Sequence, residues 1–143
     1  MGYTQPYAAY QQTGIKTASK GKLIVMLYEG ALKNIHTALD LMDSNSNIPV
    51  TSLERFHNCI VKSQEIITEL MVSLNTEQGG DIAKNLMALY RFFNRELMDI
   101  SVNHNKEKLQ SIERLMSELC ETWKIIADNT TGGQERAPLN ISG

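Results

Sequence analysis

"LQSIERLMSELCETWKII", Leu109 to Ile126, is the stretch from which the fold is read. Leu109, Ile112, Met116, Leu119, Trp123 and Ile126 follow one another at steps of three and four without a miss. That is the period of one face of an α-helix, and so regular a stripe suits packing at a shallow angle against other helices. Working back along the chain, Ile82, Leu86, Leu89, Phe93, Leu97 and Ile100 predict a third helix, set off from the last by "VNHN". It follows "TEQGG", where Gly79 and Gly80 supply the backbone freedom of a turn. Before that break, Leu53, Phe56, Ile60, Ser63, Ile67, Leu70 and Leu74 predict a second helix reaching about Asn75. Thr51-Ser52-Leu53-Glu54 at its start has the form of a capping box. The first helix opens with Ser19 as N-cap, runs through "KGKLIVMLYEGALKNIHTALDLMD" and stops in "SNSNIP".

No segment reads as a strand. Four helices joined by three short connections predict an all-α fold, an antiparallel up-down four-helix bundle over residues 18–129. Residues 1–17 are expected to dock on that bundle as an amino-terminal segment and groove lid. Residues 130–143, "TTGGQERAPLNISG", lack periodicity and are expected to be a disordered tail.

Composition narrows the function classes. A chain of 143 residues, 42% hydrophobic, fills one domain with a real core and not two of ordinary size. The net charge of -2 gives no electrostatic reason to expect nucleic acid or an anionic membrane surface. Cys59 and Cys120 lie far apart within apolar-periodic segments, which reads as two small core residues in a reducing compartment. With no basic start leading into an apolar run and no stretch of about 18 consecutive apolar residues, the expectation is a cytoplasmic protein without membrane insertion.

Two helices carry more apolar surface than one stripe. The first has Ile24, Leu27, Ala31, Ile35, Ala38 and Met42, and beside them Val25, Tyr28, Leu32 and Leu39. The third adds Ala83, Met87 and Tyr90. Such width means either a helix covered on several sides or a groove awaiting an apolar partner. Six internal methionines add weight to the groove, because flexible thioethers suit surfaces that accommodate apolar helices, although filling gaps in the core is their commoner role. Gly30, in mid-helix, costs about 0.5–1 kcal/mol relative to Ala and would make sense if another backbone approached there; simple tolerance is the plainer reading.

Catalytic and metal chemistry find no footing. Glu54-Arg55-Phe56-His57 is the Glu-x-x-His half-motif of di-iron bundles, but it has no second copy. Neither His36 nor His57 has a convincing phosphotransfer context, and there is no P-loop, dinucleotide fingerprint or nucleophile elbow. No catalytic residue, metal site or cofactor is expected.

Several short motifs in order carry a resemblance. Ala9-Tyr10-Gln11, Thr17-Ala18-Ser19, Met26-Leu27-Tyr28-Glu29-Gly30, "QEIITEL" from Gln64, Leu74-Asn75, Gly79-Gly80 and "IAKNLMALYRFF" from Ile82 resemble the flagellin export chaperones of the FliS family. The resemblance covers about Ala9 to Ala127. The chain departs from the family pattern at Ser19-Lys20, Ser63-Gln64 and Ser101-Val102. The first departure removes a proline pre-organised for a first helical turn. The resemblance implies a non-enzymatic cytoplasmic chaperone that binds the disordered carboxy-terminal segment of flagellin, prevents premature polymerisation and helps deliver it to the membrane export gate of the flagellar type III system. A co-chaperone or regulator could share its surface.

With that resemblance in hand, the candidate partner-binding residues are Tyr7, Tyr10, Val25, Tyr28, Leu32, Leu39, Ala83, Met87 and Tyr90. Tyr3, Tyr7 and Tyr10 recur at helical spacing, so their rings could cover an empty client groove as a removable lid, serve as a permanent docking strand, or touch the client directly. The competing readings are a phosphotransfer signalling bundle using His57 and a structural bundle that covers its surplus apolar face by self-association.

Overall fold

The computed structural model describes residues 20–75, 77 and 79–131. It consists of four helices: α1 (Lys20–Asp40), α2 (Leu53–Ser73), α3 (Gly80–Asn103) and α4 (Lys106–Thr131), with a 3-10 turn at Val50–Ser52 before α2. There is no strand among the described residues. Successive helices pack side by side, and α1 also packs broadly on α4, which closes the bundle. Glu29 of α1 reaches Lys124 of α4, while His36, further along α1, reaches Glu113, earlier on α4. Rising numbers on one helix therefore meet falling numbers on the other, the antiparallel order that short connections impose.

The core is the one the stripes predict. Leu27 and Ile35 of α1, Phe56, Ile60 and Ile67 of α2, Phe93 and Leu97 of α3, and Leu109 and Met116 of α4 are all buried in one cluster. The double width of α1 follows from its position: with α2 on one flank and α4 on the other, both of its stripes have protein to cover them.

Helix ends differ from expectation where backbone conformation overrides the sequence signal. The Thr51 capping box does not form. Pro49 starts a 3-10 turn, with Ser52 N–H donating to the Pro49 carbonyl at 2.8 Å, and Ser52 becomes the N-cap. Its φ/ψ of -106/-2° is helical in character, not the extended conformation from which a hydroxyl bends back to the first turn, and no side-chain cap bond is made. The expected separator "VNHN" shrinks to His104-Asn105, because α3 continues through Asn103. His104 ends it in the left-handed region, φ 52°, donating its N–H to the Ile100 carbonyl at 2.8 Å while its ring meets Phe56 edge-on. Ser19 and both terminal segments lie outside the described residues, and α4 runs two residues past the expected end.

Gly30 is also resolved. A Cβ there would lie 3.4 Å from Ile66 Cδ1, the tip of a flexible side chain, so no backbone approaches it closely.

Candidate functional site

At the centre of the bundle, Tyr28 of α1 and Tyr90 of α3 face each other across the diagonal. Their hydroxyls are 2.7 Å apart and both rings are fully buried, packed edge to face. The Trp123 indole N–H donates to Tyr28, whose hydroxyl shares a hydrogen bond with that of Tyr90, and three helices are linked by one buried network. Burial, the negative charge Tyr90 would place beside it and the hydrogen bond with Tyr90 push the Tyr28 phenol far above its ordinary range. Burial pushes Tyr90 up to about 12, against the bond with Tyr28. Both stay protonated at any physiological pH, so they key the helices together and do no acid–base work.

This placement revises the expected partner surface. Tyr28, Ala83 and Tyr90 are fully buried in the folded chain and do not lie open to a partner, and Leu32 is buried but for an edge that lines a hollow between α1 and α4. Val25 and Leu39 are half-buried and packed on the core, and Met87 is half-buried on α3. Tyr7 and Tyr10 lie outside the described residues.

The apolar surface left open is elsewhere, on the seam between α3 and α4, where the two helices pack least closely of all neighbours in the bundle. One end of that seam is clamped: Lys108 Nζ lies 2.6 Å from Asp99 Oδ2 and 3.1 Å from Glu96 Oε1. The Lys108 hydrogen bond, seconded by Asn103, holds the Asp99 carboxyl below its usual range, and the two carboxylates raise Lys108. Because these contacts fix which flanks face each other, helical phase places the rest. Leu115, Leu119 and Ile126 share the flank of Lys108 at spacings of seven, eleven and eighteen residues, and Ile82 and Leu89 precede Glu96 by two heptads and one. Ile82 is 43% exposed and Leu115 41%, and Leu86, Leu89, Leu119 and Ile126 are half-buried. With Phe92 at its edge, the seam presents a strip of open and half-buried apolar side chains, a shallow channel only in the sense that α3 and α4 pack loosely there, and it ends at an ion pair.

The signal for this channel was in the sequence, but as core. Ile82, Leu86 and Leu89 belong to the main α3 stripe and Leu119 and Ile126 to the α4 ladder, and a stripe does not say which of its members a neighbour fails to cover.

A second hollow, of about 410 Å³, lies between α1 and α4, lined by Glu29, Leu32, Lys33, His36, Cys120 and Lys124. His36 Nε2 is 2.8 Å from Glu113 Oε2, and Lys124 holds both Glu29 and Glu121. The rim charges are thus largely paired, and burial pushes the Cys120 thiol up, leaving it unreactive at neutral pH. Cys59 is likewise a buried, uncombined thiol raised by burial. Glu54 and His57 are both exposed on α2, and no group of three metal-binding side chains occurs among the described residues.

The described residues form an all-helical bundle with open apolar surface, and comparison with known proteins gives the family. Residues 3–130 match the family model of flagellar protein FliS. The chain belongs to the FliS family. It is 30% identical over 124 residues to the flagellar secretion chaperone FliS of Bacillus subtilis, covering 87% of each chain. To the flagellar secretion chaperone FliS of Escherichia coli it is 29% identical, over 81% of this chain and 85% of that one. The FliS of Salmonella typhimurium is 26% identical over 87% of this chain and 89% of its own length. Membership of the FliS family makes this a flagellar export chaperone, a protein whose work is to hold another protein. No described helix is long and apolar enough to cross a membrane.

Proposed function

We propose that this chain binds the disordered carboxy-terminal segment of flagellin in the cytoplasm, keeps it from polymerising, and assists its delivery to the export gate of the flagellar type III apparatus. The observation that carries the reading is the α3/α4 channel. An apolar strip about one helix wide, open at the surface of a bundle, fits an amphipathic helix that orders as it binds. The ion pair of Lys108 with Asp99 and Glu96 marks where such a helix would have to stop. Tyr7 and Tyr10 are proposed to lie over the channel when it is empty, and Val25, Leu39 and Met87 to border the client. A co-chaperone or regulator would use surface outside the channel.

Calorimetric titration with a peptide covering the last several dozen residues of the cognate flagellin tests this, with circular dichroism on the mixture. One-to-one binding, a negative heat-capacity change and a gain of helix are expected. Ile82→Glu and Leu115→Glu, both at exposed positions, should weaken binding by about tenfold or more while leaving the melting temperature in place. Deleting residues 2–12 should strengthen binding or leave it unchanged. A folded protein that ignores the peptide at tens of micromolar would overturn the assignment.

A further inference from the structure

The opposite flank of α3 carries a second, chemically different valley, formed with α2. Its floor is pinned by cross-helix bonds: Gln64 Nε2 donates to the Asn94 carbonyl at 3.2 Å, and Asn94 Nδ2 donates to Thr68 Oγ1 at 3.2 Å. A hollow of about 450 Å³ above that floor is lined by Gln64, Met71, Arg91, Asn94, Arg95 and Met98. It adjoins another of about 550 Å³ through Arg95 and Met98, which runs past Val102 across the outer face of α3 to the Lys108 clamp with Glu96 and Asp99. From Arg91 to Val102 this is roughly 16 Å of helix, three turns.

Two features distinguish the valley from the rest of the surface. Its apolar members are unusually open: Met98 is 58% exposed and Val102 71%, with Val72 of α2, on the outer side of the same flank, at 67%. Its cations are also uncommitted. Lys108 and Lys124 each hold two carboxylates, whereas neither Arg91 nor Arg95 has a carboxylate within ion-pair distance among the described residues. The Glu96 and Asp99 carboxylates at the far end are held by Lys108, so in a slightly acidic chain Arg91 and Arg95 beside methionines leave a local excess of positive charge.

We infer that the α2/α3 valley is a second protein-docking site, and that its occupant is an amphipathic helix with an apolar stripe flanked by Asp or Glu. Methionines adapt to the shape of an apolar stripe, and arginines in a planar fork select carboxylates at its edge. The rigid floor means the site is preformed. A helix of three turns spans it, and one with basic flanks is repelled. The first hollow, walled by Gln64 and Met71, lies on the α2 side of α3, and the second reaches only the clamped end of the seam proposed for flagellin, so both can be occupied together. The inference does not depend on what fills the channel.

The test uses the full chain and two designed 18-residue peptides with the same leucine stripe, one flanked by Glu and the other by Lys. Backbone amide NMR maps each footprint, and fluorescence anisotropy gives affinity. The expected result is that the Glu peptide binds and shifts Met71, Arg91, Asn94 and Met98, and that the Lys peptide does not. Arg91→Glu with Arg95→Glu should weaken the Glu peptide by about tenfold or more, and added salt should weaken it in the wild type. Met98→Asp should do the same while leaving flagellin-peptide binding unchanged. Equal binding of both peptides, a footprint confined to Ile82, Leu89 and Leu115, or a flagellin footprint that fills the valley would each overturn the inference. So would a concentration-dependent dimer abolished by Met98→Asp, which would make the occupant a second copy of the chain.

Discussion

Replacing Tyr28 with Phe removes one oxygen from the centre of the bundle and strands two partners. Tyr90 loses its hydroxyl partner, and the Trp123 indole loses its acceptor. A buried group left unpaired costs about 1–3 kcal/mol, and Trp123 is close to buried, so Tyr28→Phe should cost about 3 kcal/mol. Tyr90→Phe removes only the bond between the two hydroxyls, since Tyr28 still accepts from Trp123, and should cost about 1–2 kcal/mol. The double variant leaves only the indole unmatched, so its cost should fall short of the sum by about 1 kcal/mol or more. Urea unfolding followed by far-UV circular dichroism measures all three, because fluorescence of Trp123 reports from inside the network. For Tyr28→Phe the midpoint should drop by about 1–3 M, given a slope of about 1–3 kcal/mol/M. A cost below about 0.5 kcal/mol, the range of an ordinary surface substitution, or strict additivity of the pair, would refute a buried network and mean that water reaches these hydroxyls. Where the variants are fully folded, their affinity for a flagellin peptide should match wild type, because neither ring borders open surface.

Gly30→Ala should stabilise the chain by about 0.5–1 kcal/mol in chemical denaturation, since the added methyl meets only the movable tip of Ile66. Glu69 is buried on α2, and desolvation raises its carboxyl pKa, so the folded state holds its proton more tightly than the unfolded chain does. That contribution is favourable below the unfolded value of about 4.3 and is lost as pH rises through the folded one, so Glu69→Gln should raise the melting temperature at pH 7.5 and not at pH 3.5. The clamp works in the opposite sense. Asp99 is held low first by Lys108, so its contribution is present above about 3.9 and disappears as pH falls through the lowered value; in a carboxylate NMR titration Lys108→Ala should move the Asp99 midpoint upward.

Helix number, order and most of the core follow from the three-and-four spacing, because the Leu109–Ile126 ladder and its three companions leave no other way to bury their stripes together. What spacing cannot show is how closely each pair of neighbours packs. Tyr28 and Tyr90 read as surplus surface because a tyrosine beside a stripe is ambiguous until its hydroxyl has a partner, and that partner lies 62 residues away in sequence. Ile82 reads as plain core for the converse reason: its stripe is right, but α3 and α4 part at that flank, and Leu115, beside the α4 ladder and not in it, is left open there. The start of α2 was misjudged because Pro49 forces a tight turn one residue too late for Thr51 to cap.

The shape of the channel constrains how a client could be held. Its walls are already folded, so the ordering cost falls on the client, about 1–2 kcal/mol for each residue fixed. A twelve-residue helix then costs about 12–24 kcal/mol to order, before the loss of translational freedom on association. Four apolar anchors on that helix return about 1.5–3 kcal/mol each. The chaperone side returns less per residue, because Leu86, Leu89, Leu119 and Ile126 are already half-buried against the core. The client's anchors thus return only about half of its ordering cost and the chaperone side must supply the rest, so the channel alone cannot hold a single short helix tightly. A client held well enough to survive transport must continue beyond the channel and bury further apolar residues along the bundle. A flagellin fragment of one helix should therefore bind at least about a hundredfold more weakly than one several times longer, in the same titration. Equal affinity for the two fragments would mean that the channel is deeper than its half-buried lining indicates, and that the anchors, not the length of the wrap, set the grip.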